Sequence, residues 1–159
     1  MKAKGIRENG EVVYFDVIDG VLNCCYNRLT ELEVPQGVVI LDCCYNRLTE
    51  LEVPQGVFRL YCSHNKLTEL EVPNGVVALN CSHNKLTELI VPQGVEFLDC
   101  SHNRFENDAT TFINPKTDRV VFFQNDLFYC GCCCGKTKAE FKTICDEKGF
   151  SETIEHFGL

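Results

Sequence analysis

Twelve cysteines and four histidines in 159 residues are the side chains here most able to do chemistry. Cys130, Cys132, Cys133, Cys134 and Cys145 crowd the C-terminal part. Thiols in that density can hold zinc, but structural sites space their ligand pairs by two to four residues, and adjacent cysteines aim poorly at one ion. A thiol near a helix start has a lowered pKa and can act as a nucleophile. No histidine–acid pair is spaced in the sequence to activate it, so these cysteines read as buried or surface thiols. Gly135-Lys136-Thr137 has the closing letters of a phosphate loop, but Gly131 stands one residue too near to complete the pattern. His64, His83 and His102 recur at one interval. Neighbours one strand apart, about 4.8 Å, are close enough to share a metal. They arise, however, within a duplicated Ser-His-Asn phrase, and Asp99 is the one acid among them. The expectation is therefore no catalytic residue, no metal and no cofactor.

The remaining cysteines belong to the element that must position everything else. Between residues 22 and 107 one phrase, L-x-C-x-x-N-x-L-T-E-L-x-V-P-x-G-V, is written five times at a spacing of 19. Its cysteines are Cys24, Cys43, Cys62, Cys81 and Cys100, and its asparagines Asn27, Asn46, Asn65, Asn84 and Asn103. A fixed period near twenty marks a solenoid, whose units are too small to bury an apolar face alone and must stack. In the fourth unit Leu79 and Cys81 alternate with Ala78, Asn80 and Ser82, which is strand periodicity with the second set facing outward. Leu86, Leu89 and Val91 fold back to the same interior, and Pro92 and Gly94 close the unit. Nineteen residues leave no room for a long helix on the return, so that side should be extended or polyproline-like, with turns. The cysteines read as small buried hydrophobes. The asparagines read as an interior column, since an amide that both donates and accepts can satisfy the repeated turn.

The order Val76, Leu79, Cys81, Asn84, Leu86 resembles the leucine-rich repeat, with cysteine in one leucine slot, and Val57, Leu60, Cys62, Asn65, Leu67 does so equally. The L-T-E-L segments ending at Leu32, Leu51, Leu70 and Leu89, followed by Pro35, Pro54, Pro73 and Pro92, are similar to the short repeats of bacterial effector proteins, though with one proline per unit and a glycine behind it. The resemblance implies a small curved solenoid with a parallel sheet on its concave side and an extended or 3-10 convex side. The ubiquitin-ligase domain of some effectors does not carry over, because the residues after Glu106 are too few.

Residues 1–21 read as a loop around Gly5, Asn9 and Gly10, then a strand from Val12 to Ile18 that caps the open end of the stack. Residues 108–159 read as a hairpin, a cysteine-rich turn and a helix. Thr111-Phe112-Ile113, Arg119 to Phe123 and Leu127 to Cys130 supply the strands, with Phe122, Phe123, Phe128 and Tyr129 expected to cover the last repeat. Thr137 and Glu140 have capping-box spacing before a helix from about Lys138 to Lys148. Gly131, Cys132, Gly135, Thr137, Glu140 and Phe141 also resemble a terminal module of phage-associated repeat proteins, with one extra residue.

The net charge of -8 is spread along the chain and opposes binding of nucleic acid. No stretch is long and apolar enough to span a bilayer. The basic start at Lys2, Lys4 and Arg7 has no apolar run behind it. A cytoplasmic, reducing location is expected, or a host cytoplasm for a secreted effector. What remains is a binding surface. The outward columns run Val21, Ile40, Arg59, Ala78, Phe97; Asn23, Asp42, Tyr61, Asn80, Asp99; Cys25, Cys44, Ser63, Ser82, Ser101; and Tyr26, Tyr45, His64, His83, His102. From these, Tyr45, Arg59, Tyr61, His64, Asn80, His83, Asp99 and His102 are the expected contacts to a protein partner, or to another copy of the chain. Arg28, Arg47, Lys66, Lys85 and Arg104 beside Glu31, Glu50, Glu69 and Glu88 read as a solvated rim.

Overall fold

The computed structural model describes residues 1–106 and 137–148, and the strand segments Thr111–Ile113, Val120–Gln124 and Leu127–Tyr129. The N-terminal strands are β1 (Lys2–Arg7), β2 (Val12–Asp16), β3 (Val21–Asn23) and β4 (Leu29–Glu33). One short strand per coil follows: β5 (Ile40–Asp42), β6 (Arg59–Tyr61), β7 (Ala78–Asn80) and β8 (Phe97–Asp99). β9 (Thr111–Ile113), β10 (Val120–Gln124) and β11 (Leu127–Tyr129) form an antiparallel sheet in the order β11-β10-β9, and α1 spans Lys138–Lys148.

The centre of the molecule is a five-stranded parallel sheet, β3-β5-β6-β7-β8, with each residue paired to its equivalent 19 positions on. Leu22, Leu41, Leu60, Leu79 and Leu98 point inward and are buried, as are all five column cysteines. Leu29, Leu48, Leu67, Leu86 and then Phe105 fill the opposite wall of the interior. The return path carries no helix in any coil; in the first it includes β4, and in the others it runs through bends and turns. Each of the first four coils closes at a glycine such as Gly56, whose φ of +92° lies in the left-handed region that a side chain resists. This is the parallel β solenoid with extended returns that the periodicity implies, with the small C-terminal helix that the capping-box spacing implies.

The asparagine column works as a relay between coils. Asn65 Oδ1 accepts the Leu48 amide of the coil before it at 3.0 Å. Its Nδ2 donates back to Cys43 O at 3.0 Å and, within its own coil, to Cys62 O at 3.1 Å. Asn46, Asn84 and Asn103 repeat the pattern. At the open end Asn27 has no earlier coil to serve, and its Oδ1 instead accepts from Arg7 Nη2 at 3.1 Å.

That arginine comes from an N-terminal hairpin. β1 pairs antiparallel with β2 and, on its other edge, with β4. The segment expected to be loop around Gly5 is therefore strand. Gly5 is buried there because a Cβ would sit 2.8 Å from Leu29 Cδ2; only a bare backbone lets β1 pack this close to the first coil. Asn9-Gly10 does make the expected turn, with Gly10 N donating to Arg7 O at 2.8 Å. α1 starts with the expected reciprocal cap: Thr137 N donates to Glu140 Oε2 at 2.9 Å and Glu140 N to Thr137 Oγ1 at 3.4 Å. Among the described side chains of α1, Phe141 is buried. The expected zinc alternative at Cys130, Cys132, Cys133, Cys134 and Cys145 lies outside the described side chains, as does the covering role of Phe122, Phe123, Phe128 and Tyr129.

Candidate functional site

The outward face of the parallel sheet and the turn that follows each strand carry all eight expected contact residues, in two groups. The first group lies in the turn. Tyr45, His64, His83 and His102, preceded by Tyr26, stack face to face along the solenoid with ring centroids 4.4, 4.1, 4.1 and 4.1 Å apart. Neighbouring planes are within 19° of parallel. Near-exact translation from coil to coil produces this ladder: Tyr45 N donates to Ser63 O at 3.0 Å and His64 N to Ser82 O at 3.0 Å, locking each turn to the next. All five ladder residues have φ between 53° and 59°, a left-handed conformation that costs a bulky side chain about 1–2 kcal/mol. The asparagine that follows each ring offsets this cost, since the turn is what brings its amide to the interior.

The second group lies on the strands. Arg59, Tyr61, Asn80 and Asp99 line a shallow concavity of about 620 Å³ over β6, β7 and β8, together with Phe58, Val77, Ala78, Glu96 and Phe97. Phe97 is 65% exposed and Phe58 43%, so two aromatic rings flank the hollow in water. Reasoning from the sequence placed Phe97 on this face without choosing it and passed over Phe58, which sits just before the strand. The polar neighbours Ser63 and Ser82, although on the outward side, are buried. Ser82 Oγ donates to Asn80 Oδ1 at 2.8 Å. Ala78, also an outward position, is only 9% exposed and forms the floor of the hollow.

At the other end of the sheet, Cys25, Asp42 and Cys44 converge, each half-buried, with their ligand atoms all within 4.8 Å of one another. Cys25 Sγ donates to Asp42 Oδ1 at 2.6 Å, and Ser63 Oγ donates to Cys44 Sγ at 3.2 Å. Hydrogen bonds from Cys25 and then Ser63 hold the Cys44 thiol below its ordinary pKa, while Cys25 is pushed up by its bond to Cys44, by burial and by Asp42. The signal for this cluster was present in the sequence, since both thiols occupy one column and the acid the adjacent one. The five inward cysteines behave differently: burial pushes the Cys24 thiol up to about 12 and raises Cys43, Cys62 and Cys81 as well. None of the seven coil cysteines is in a disulfide.

The basic column lies at the surface or half-buried, and its one described ion pair joins Arg47 to Glu8 of the N-terminal hairpin rather than to the acidic row. Among the described residues no helix is long and apolar enough to cross a membrane. The chain matches no protein-family model, no curated protein and no solved structure.

Proposed function

We propose that this chain is a non-enzymatic interaction module of the leucine-rich-repeat type, holding a protein partner against the outward face of β6, β7 and β8. The observation that carries this reading is the hollow flanked by Phe58 and Phe97. The interior of each coil is filled, yet two large rings stay in water on a face with Arg59, Tyr61 and Asp99 around them. Aromatic and arginine side chains on a rigid support are the usual anchors of a protein interface. Five strands about 4.8 Å apart, each with its turn about 20 Å long, give a whole outward face of roughly 400 Å², of which β6, β7 and β8 supply about three-fifths. That is small, so the partner is a short segment or the edge of a domain, bound with micromolar rather than nanomolar affinity. The ladder from Tyr45 to His102 borders this face and extends it. The net charge of -8 weighs against nucleic acid as the ligand.

The effector-like wording of the repeats and the likeness of the C-terminal segment to a phage-associated module point to a bacterial or phage-related complex. Seven cysteines outside disulfides suit a reducing compartment, the cytoplasm or that of a host. Self-association through the same face is the alternative, favoured by the apolar character of the hollow. Full-length protein carrying Tyr61→Ala and Phe97→Ala separates the two, using quantitative pull-down and sedimentation velocity. Loss of a heterologous partner at unchanged mass supports the module; a fall in mass supports assembly. An unchanged partner set and unchanged mass would remove this face from consideration.

A further inference from the structure

We infer that Cys25, Asp42 and Cys44 form a binding site for a thiophilic divalent cation of the zinc type, with one coordination position open to solvent. The inference is independent of the interaction reading and concerns the opposite end of the sheet. Two sulfurs and one carboxylate oxygen already lie within 4.8 Å of one another. A tetrahedral ion with bonds of about 2.3 Å to sulfur and about 2.0–2.2 Å to oxygen requires separations of roughly 3.6–3.8 Å. Side-chain rotation of under about 1 Å reaches that geometry, and the backbone can stay where it is.

The scaffold holds the donors from behind. Cys24 N donates to Asp42 O at 2.8 Å and Tyr26 N to Cys44 O at 3.1 Å, bracketing Cys25 between fixed points. Cys44 N donates to Asp42 Oδ1 at 3.3 Å, and the Ser63 hydroxyl reaches Cys44 Sγ. Such supporting bonds orient ligands in metal sites. Charge argues the same way. Two thiols and a carboxylate crowd one half-buried spot, and one divalent ion neutralises the anions that form when both thiol protons leave to solvent.

The repeat supplies its own control. In coils three to five the thiol column reads Ser63, Ser82, Ser101, and its serines bond neighbouring side chains instead. The adjacent column varies between asparagine, aspartate and tyrosine. Only where coils one and two meet do two soft donors and an acid coincide. Serine and asparagine are thus substitutes that this fold already accepts at these places.

The test is cobalt titration of reduced, metal-free, full-length protein, followed by zinc displacement. To remove interference, a background variant replaces Cys130, Cys132, Cys133, Cys134 and Cys145 by serine. That background should take up one equivalent of cobalt with a thiolate-to-metal charge-transfer band, which zinc bleaches. Cys25→Ser with Cys44→Ser should abolish the band while the far-ultraviolet dichroism is unchanged. Asp42→Asn should weaken binding by at least about tenfold, since even supporting residues of metal sites cost 10–100-fold. Failure of the background variant to bind cobalt overturns the inference, as does a band that survives the double substitution. Should the double variant not fold, Asp42→Asn decides alone: unchanged affinity overturns the site.

Discussion

Replacing Asn65 by alanine tests what the asparagine column does, because the geometry says which groups are left without partners. The side chain is buried, accepts from Leu48 N, and donates to the carbonyls of Cys43 and Cys62. Each carbonyl has a second amide donor: Cys43 O from Asn46 at 3.0 Å and Cys62 O from Asn84 at 3.0 Å. Alanine therefore halves the bonding of two carbonyls and strands one donor, the Leu48 amide. A buried donor without a partner costs about 1–3 kcal/mol, and a weakened carbonyl about 0.5 kcal/mol. The expected loss is about 3 kcal/mol. Asn27 is the comparison. Its Oδ1 accepts from the Arg7 guanidinium, which can turn to water, and Cys24 O keeps the Asn46 donor at 2.9 Å. Asn27→Ala should cost about 1 kcal/mol.

Urea unfolding reads the difference. With a slope near 2 kcal/mol/M, the two midpoints should stand about 1 M apart. Dichroism and tyrosine fluorescence should be followed together, since repeat arrays can lose cooperativity and the two probes must coincide. Equal losses, or a larger loss for Asn27, would refute the argument that the column exists to satisfy backbone donors across coils.

His64→Gly removes a side chain held at φ +54° but also two stacking contacts, so stability should change by no more than about 1 kcal/mol while partner binding falls; calorimetry and a binding isotherm check this. Gly56→Ala should cost about 1 kcal/mol by thermal unfolding through φ +92° alone, for its Cβ meets nothing within 4 Å. Cys62 and Cys81 have raised pKa values, first through burial, so the unfolded chain loses those protons before the folded one does. Stability from them is complete below about pH 9 and should fall as pH rises further, by about 1.4 kcal/mol per unit for each thiol, which denaturation from pH 8 to 10 measures. Rapid alkylation at neutral pH, mapped by mass spectrometry, should label Cys44, whose thiol is held below its ordinary pKa, ahead of Cys25, whose thiol is pushed up, and spare the buried Cys62 and Cys81.

The interior was legible from the sequence because a period of 19 leaves the leucines, cysteines and asparagines one common destination. The N-terminal hairpin was less so, and β4 shows why. Residues 29–33, 48–52 and 67–71 all read L-T-E-L-E, yet only Leu29–Glu33 is a strand. The difference lies in the neighbour: β1 offers an edge to the first coil, and among the described residues no equivalent edge reaches the next two. Strand formation here is a property of pairing, which local composition does not encode. The left-handed backbone at Tyr26, Tyr45, His64, His83 and His102 was equally hidden, because aromatic residues and histidine are not the residues by which such a turn is recognised. The candidate site fell between these cases. Columns could be read from the repeat, but which residues of a column stay in water depended on the neighbours on either side, as buried Ala78 beside exposed Phe97 shows.

This division also bears on where function can sit. Inside the solenoid every coil must present the same shape to the next, so the inward leucine and the cysteine two places on do not vary across five units. A change there is paid twice, once on each neighbouring coil. Outward positions carry no such constraint, and Val21, Ile40, Arg59, Ala78 and Phe97 are five different residues at one structural address. A face kept only for solubility would tolerate charge at each of them. The outward strand positions of this one instead carry Arg59, Tyr61 and Phe97 over β6 to β8, while the paired thiols Cys25 and Cys44 lie just after β3 and β5. Duplication explains the uniform columns, but it gives no reason for the two ends of one sheet to differ in chemistry. That asymmetry is what the proposed binding role would account for.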